Sequence, residues 1–344
     1  MGQFEIIAAV AISFAVTAVA GKIFIPILRR LKYGQTINDV GPTWHKNKEG
    51  TPTMGGIIFI IGICLSVAIC LPILYSRKIL DGGIKILPEG FKVYGGIILA
   101  VLLSLVGFAD DFIKIKKKRN LGLTAVQKTL MQLLPTAGYI LFCEYLSPTL
   151  SFFVPILGNV RLGVFYIPYL IALIVFTYFM INAVNLTDGI DGLCSSTTLV
   201  YALAVFFLSG LMQTPVTAVI SSALIGGMFG FLLYNFYPAK LFMGDTGSMF
   251  LGAMVVILPL MLDIPILILL FGIIYFIEAG SVVLQVLSVK IRKKRIFKMS
   301  PIHHHFEMSG WSEKKIVGIF TIITALVSAL AILSVLPALL AYTI

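Results

Sequence analysis

The run Met54-Gly-Gly-Ile-Ile-Phe-Ile-Ile-Gly-Ile-Cys-Leu-Ser-Val-Ala-Ile-Cys-Leu-Pro-Ile-Leu-Tyr75 contains no charged residue. A bilayer core is about 30 Å thick and a helix rises about 1.5 Å per residue, so roughly 20 apolar residues cross it. Hydrocarbon offers no water to the backbone, so the N–H and C=O groups must pair within the segment, and a helix pairs them. A membrane barrel would instead alternate apolar and polar residues over segments of about ten, and that pattern is absent here. Comparable stretches lie outward of this one, at about 3–28, 93–110, 128–147, 165–183, 193–212, 216–236, 246–262, 264–289 and 314–343. The prediction is an all-α integral membrane protein of about ten transmembrane helices, a single polytopic domain over residues 1–344. The composition agrees, with 59% of residues hydrophobic and 12% charged, far from an ordinary soluble domain.

The loops divide by charge. Lys and Arg are retained on the cytoplasmic side of short connections. The odd-numbered connections hold Arg29, Arg30, Lys32, Lys46 and Lys48, then Lys114 to Lys128, then Lys240, then Lys290 to Lys315; the even-numbered ones hold Arg77, Lys78, Lys85, Lys92 and Arg161. The first group is therefore read as cytoplasmic and both termini as extracytoplasmic. The net charge of +11 fits attraction to anionic membrane lipids and is not read as nucleic-acid binding. Cys64, Cys70, Cys143 and Cys194 are scattered without ligand spacing, so no disulfide and no structural zinc are expected. The Met-Gly-Gln-Phe-Glu start lacks the basic opening of a signal peptide, and the first apolar stretch is expected to be retained. Turn signals around Phe152-Phe153-Val154 suggest a short external hairpin.

Most of the distinctive polar sequence gathers in the cytoplasmic connections. Asp110-Asp111-Phe-Ile-Lys114 is expected at the C-terminal end of the third span, where acids oppose the helix dipole and repel each other. Lys114, four residues on, offers a surface ion pair, yet one lysine leaves the second acid unexplained, and a bound divalent cation, or a phosphate held by Mg²⁺ and Lys114, accounts better for both. Asn182 to Gly192 contains Asn185, Thr187, Asp188, Gly189, Ile190 and Asp191, a pattern that a plain turn also requires. Ile190 stands where a calcium loop needs an oxygen ligand, and Asp191 is suited to hydrogen-bond a heterocycle such as uracil.

Asn235 to Ser248 includes Lys240, Phe242 and Gly244-Asp245-Thr246-Gly247. Asp245 or Thr246 is a natural helix N-cap, and a carboxylate flanked by glycine also approaches a metal closely. Phe242 could stack on a base. Pro301-Ile-His303-His304-His305-Phe-Glu307 is ill suited to chelate one ion, because neighbouring side chains point different ways, and fits phosphate recognition better than a solvated loop. His45 to Gly56 contributes Lys48 and Thr53 beside the Pro52 and Gly55-Gly56 of a helix start. Glu278, within the ninth span, is read as buried structural support, since an intramembrane carboxylate is costly unless paired. Carboxylates, lysines and histidines together are what phosphoryl transfer from a nucleotide diphosphate needs.

These residues closely resemble the phospho-N-acetylmuramoyl-pentapeptide-transferases, within the polyprenyl-phosphate N-acetylhexosamine-1-phosphate transferase superfamily. The marks are Gly50-Thr-Pro-Thr-Met-Gly-Gly56, Asp110-Asp-Phe-Ile-Lys114, Asn120-Leu-Gly-Leu-Thr124, Asn185 to Leu193, Gly244-Asp-Thr-Gly-Ser248 and Pro301 to Glu307. Each motif alone is weak; all of them, in this order and over essentially the whole chain, are specific. The histidine run looks like the muramoyl-pentapeptide branch, whereas relatives that use UDP-GlcNAc carry other histidine patterns.

The resemblance implies transfer of phospho-MurNAc-pentapeptide from UDP-MurNAc-pentapeptide to undecaprenyl phosphate, giving lipid I and UMP, with Mg²⁺ required, in the bacterial plasma membrane. It implies Asp245 as the Mg²⁺ ligand, Asp110, Asp111, Asp245 and His303 as the catalytic set, and Lys114 and Lys128 as phosphate-binding. It gives Lys48, Thr53, Gly189, Ile190, Asp191, Asn235 and Phe242 to the nucleotide, and Asn185, Asp188 and His303 to His305 to the sugar-phosphate end. It also implies a homodimer and inhibition by nucleoside antibiotics. A sister UDP-GlcNAc transferase and a secondary transporter are the alternatives.

Overall fold

The computed structural model describes residues 2–31, 48, 50–80, 86–117, 121–149, 151–154 and 158–343. His45, Lys46, Asn47 and Glu49 of the segment before the second span, and Lys118, Arg119 and Asn120 of the third connection, lie outside the described residues. The chain opens with α1 (Gln3–Arg30), α2 (Gly56–Leu80), α3 (Ile86–Lys117) and α4 (Ala125–Leu146). The expected hairpin follows as β1 (Ser151–Val154) and β2 (Gly158–Arg161), antiparallel, with Ser151 opposite Arg161 and Val154 opposite Gly158. Then come α5 (Tyr166–Thr187), α6 (Leu193–Leu211), α7 (Pro215–Asn235) and α8 (Gly244–Met261). The chain continues through α9 (Leu267–Phe271), α10 (Ile273–Arg292), α11 (Ile302–Glu307) and α12 (Glu313–Thr343).

Nine helices among the described residues are long and apolar enough to cross a membrane. α4, which covers the expected stretch 128–147, is less apolar on average, and burial gives the reason. Gln132 and Glu144 are buried, whereas Leu130, Leu134, Leu141 and Phe142 are exposed. Its polar residues thus face protein and its apolar residues face outward, the arrangement hydrocarbon selects. The whole is an all-α integral membrane protein.

α7 and α8 form the centre. Every residue of α8 from Thr246 to Pro259 is buried, with α2, α3 and α5 packed around it, while α7 lies against α1, α2 and α6. Lipid tails are as apolar as leucine, so close packing holds such helices together, and small residues permit it. At Gly107 of α3 a Cβ would run into the backbone carbonyl of Asp245, so α3 rests directly on the first turn of α8. On the outside, Ile7, Ile23, Ile98, Leu105, Ile167 and Ile171 are exposed, an apolar surface suited to lipid.

Two expected boundaries move. α3 runs on to Lys117, so Asp110 and Asp111 lie about two turns inside it, and the opposing helix dipole is not what they answer to. The stretch 264–289 is not one helix: Gly272, at φ −93° and ψ 23°, separates α9 from α10.

Candidate active site

Asp110, Asp111 and Asp245 meet at one end of the bundle, each offering a carboxylate oxygen within 4.8 Å of the others. Asp110 Oδ2 is 2.6 Å from Lys114 Nζ, and its Oδ1 accepts the Leu123 N–H at 2.8 Å. Lys114 and Lys128 both reach Asp245 Oδ2, at 3.0 and 2.7 Å. Asn185 donates to Asp245 Oδ1 at 2.9 Å and to Ser248 Oγ at 2.7 Å. Three carboxylates thus crowd together beside two ammonium groups in a largely buried setting. The cluster has the hard oxygen donors of a metal site.

Asp111 makes the joint between helices. Its Oδ1 accepts the Asp245 N–H at 3.2 Å, and its Oδ2 accepts the Thr246 N–H at 2.9 Å and the Thr246 hydroxyl at 2.7 Å. The first N–H groups of a helix have no partner inside it. The expected cap on α8 was Asp245 or Thr246; both instead fall in its first turn, and the capping carboxylate comes from α3. Gly244, at φ +69°, leads into this turn, and a Cβ there would stand 2.5 Å from Asp111 Oδ2.

A second centre surrounds Lys48. Its Nζ lies 2.7 Å from Asp191 Oδ1 and 2.7 Å from Glu313 Oε2. Burial alone would lower the Lys48 pKa, but the hydrogen bonds and charges of Asp191 and Glu313 outweigh it and hold it above the usual value. Glu313 also accepts the Asp191 N–H at 3.1 Å, and Asp191 Oδ2 accepts the Ala239 N–H at 2.8 Å. Asn235 is buried, with its oxygen taken by Ser195 at 2.5 Å and its NH₂ by the Leu241 carbonyl at 3.0 Å, so its amide shapes the 236–241 loop. The half-buried Phe242 accepts the Gly55 N–H at 2.8 Å and donates to the Pro52 carbonyl at 2.9 Å. These bonds lay residues 52–56 against the start of α8 and bring Thr53 beside Gly244.

Between the two centres runs the Asn185–Asp191 turn. Asp188 is half-buried; burial, followed by the negative charges of Asp245, Asp111 and Asp191, pushes its carboxyl well above the usual range. Ile190 is buried with Leu193, Ile274, Ile316, Val317 and Phe320, whereas Gly189 is exposed. The three histidines lie on the short α11 with a different partner each. His303 Nδ1 meets Glu278 Oε2 at 3.0 Å, His304 Nδ1 meets Glu307 Oε2 at 2.6 Å, and His305 Nδ1 accepts the Lys298 N–H at 3.1 Å.

The sequence-predicted residues therefore assemble at one end of the molecule. Glu313 was not among them: the only local signal is an acid beside Lys314 and Lys315 at a helix start. Glu278 was foreseen as buried support, but not as the partner of His303.

The segment 93–263 matches glycosyl transferase family 4. With its membrane helices, the chain is an integral-membrane phosphoglycosyl transferase. Residues 48–60 match the phospho-N-acetylmuramoyl-pentapeptide-transferase signature 1. Proteins named phospho-N-acetylmuramoyl-pentapeptide-transferase are similar over nearly the full length. The one from Clostridium novyi (strain NT) is 43% identical over 330 residues, 95% of this chain and 96% of the relative. That of Caldanaerobacter subterraneus subsp. tengcongensis is 44% identical, covering 93% and 95%, and that of Clostridioides difficile (strain 630) 41%, covering 97% and 99%. The chain belongs to the phospho-N-acetylmuramoyl-pentapeptide-transferase family.

Proposed function

We propose that this protein, as a single membrane domain, moves phospho-MurNAc-pentapeptide from UDP-MurNAc-pentapeptide to undecaprenyl phosphate at the cytoplasmic face of the bacterial plasma membrane, releasing UMP and leaving lipid I. The observation that carries the chemistry is the carboxylate trio, within 4.8 Å of one another and faced by Lys114 and Lys128. Such a cluster is suited to hold Mg²⁺, which prefers one or two carboxylates together with phosphate oxygens and water. Asp245 is the ligand best supported: it lies between both lysines and Asn185 and is the least buried of the three. Bound Mg²⁺ supplies neutralisation of the diphosphate oxygens.

The chain's own groups do the rest. Lys114 and Lys128, held on Asp245, are within reach of incoming phosphates. Asp110 sits beside the lipid phosphate and orients it. A phosphate monoester is already largely dianionic at neutral pH, so the lipid phosphate oxygen attacks the β-phosphorus directly. The new O–P bond forms as the bond to the bridging oxygen breaks, and that oxygen leaves on UMP. Lys48, Asp191, Gly189, Ile190, Phe242 and Thr53 line the uridine side, with Asn235 bracing its loop; Asn185, Asp188 and His303 to His305 border the sugar-phosphate. By family membership the reading extends to a homodimer and to inhibition by nucleoside antibiotics that compete for the uridine side.

The test is Mg²⁺-dependent UMP release from UDP-MurNAc-pentapeptide with undecaprenyl phosphate, with UDP-GlcNAc as control donor. Asp245→Asn is expected to lower turnover by about 10²-fold or more, the scale for removing one electrostatic group from a reacting centre, and His303→Ala to lower it too. Full activity in both variants, or equal turnover of UDP-GlcNAc, refutes the reading.

A further inference from the structure

Glu278 is the only acid of α10, and it is 0% exposed. Its Oε2 lies 3.0 Å from His303 Nδ1 and 3.4 Å from the His303 backbone N–H. Its Oε1 has no hydrogen-bond partner among the described residues, and neither has His303 Nε2, although both atoms are buried. A carboxylate away from water is costly unless it is paired, and buried polar groups are nearly always satisfied. His303, itself 0% exposed, is the partner that α11 supplies.

The imidazole is fixed on three sides. Glu278 holds Nδ1, the His304 ring lies against it with centroids 4.1 Å apart, and Nε2 is aimed at Gly189, where a Cβ would collide with it. Gly189 is exposed, so only that stretch of backbone separates Nε2 from the open side of the Asn185–Asp191 turn. A hydrogen bond at one ring nitrogen decides the state of the other. With a carboxylate at Nδ1, that nitrogen carries the proton and Nε2 is left free.

We propose that Glu278 is the positioning residue of His303: by accepting the Nδ1–H it fixes the tautomer and ring orientation, and reserves Nε2 for the sugar-phosphate end of the donor beneath Gly189. This rests on the reading of His303 as a donor-facing residue. On this proposal the donor, reaching past the Gly189 backbone, supplies the hydrogen-bond partner that Nε2 lacks among the described residues. Glu278 never touches substrate.

The test uses the full chain in detergent, with Glu278→Leu, which removes the acceptor, and Glu278→Gln, which keeps an acceptor oxygen. Groups that hold a metal-bound imidazole in place are worth about 10- to 100-fold, and the same scale is taken for His303. Glu278→Leu is expected to lose kcat on that scale while the donor KM stays within about twofold and UMP still raises the melting temperature as in wild type. Glu278→Gln recovers part of the loss. Wild-type kcat in Glu278→Leu overturns the assignment, and so does a loss of UMP stabilisation, which would make Glu278 a support of the fold. If the wild type itself does not turn over UDP-MurNAc-pentapeptide, the function proposed above has failed, and ¹⁵N-histidine spectra then decide the pairing independently. The chain has only 4 histidines, so His303 is assignable by substitution. Its Nδ1 is expected to be protonated in wild type and Glu278→Gln, and the tautomer to change in Glu278→Leu; an unchanged tautomer overturns the proposal.

Discussion

Asp111 directs both carboxylate oxygens to the first turn of α8, and this decides where Asp245 stands. The backbone N–H of Asp245 is itself one of the groups that Asp111 holds, at 3.2 Å, so the capping residue and the half-buried carboxylate of the trio form one mechanical unit. Thr246→Val keeps the shape and deletes one hydrogen bond to Asp111, at a cost of about 1 kcal/mol. Asp111→Ala strands two N–H groups in a buried site and is expected to cost about 2 kcal/mol or more. Melting temperatures in detergent should fall in that order, with UMP release falling further in Asp111→Ala; equal stability for all three proteins would show that Asp111 does not cap the helix. None of this was legible in the sequence, where the two Asp residues read as a pair in need of a cation. The cap joins residues 135 positions apart, and no local pattern announces such a bond. Glu313 escaped for the same reason: it meets Lys48 from 265 positions away.

At the scale of elements, apolar length was the legible quantity, because hydrocarbon thickness sets it, and the apolar cores of the spans follow from it. The ends were less legible. α3 continues past its apolar stretch because Lys114 turns back to pair with Asp110, one helical turn earlier, and so helix persists where composition alone suggests a loop. The break at Gly272 has no charged residue or proline to mark it between Leu267 and Ile277. Close helix contacts were also invisible, and Gly107 is the sharpest case. A Cβ at that position meets the Asp245 backbone carbonyl, which has no rotamer by which to move away. Gly107→Ala is therefore expected to destabilise by about 1–3 kcal/mol, the range for overpacking a close contact, and to lower UMP release by displacing Asp245 from the lysines. Thermal unfolding checks the first effect and turnover the second; wild-type values for both would mean that α3 and α8 are free to separate at this level.

For the molecule as a whole, the distribution of polar groups separates an enzyme from a transporter. Transporter sites lie near the bilayer midplane between broken helices, whereas here the carboxylate trio, the Lys48 triad and α11 share one end of the bundle. Lys48, Lys114 and Lys128 belong to that same end, and in the orientation proposed above, which follows the positive-inside tendency, it faces the cytoplasm, where a nucleotide-activated sugar is available. This sidedness is open to direct measurement. Lys298 and Arg161 are both exposed, on connections assigned to opposite sides. The four native cysteines are buried or half-buried, out of easy reach of a water-borne reagent, so background labelling is small. With a membrane-impermeant maleimide on intact cells, Arg161→Cys is expected to label at once and Lys298→Cys only after permeabilisation. The reverse pattern would put the trio on the side without nucleotide, and a transferase drawing on UDP-sugars could not work there.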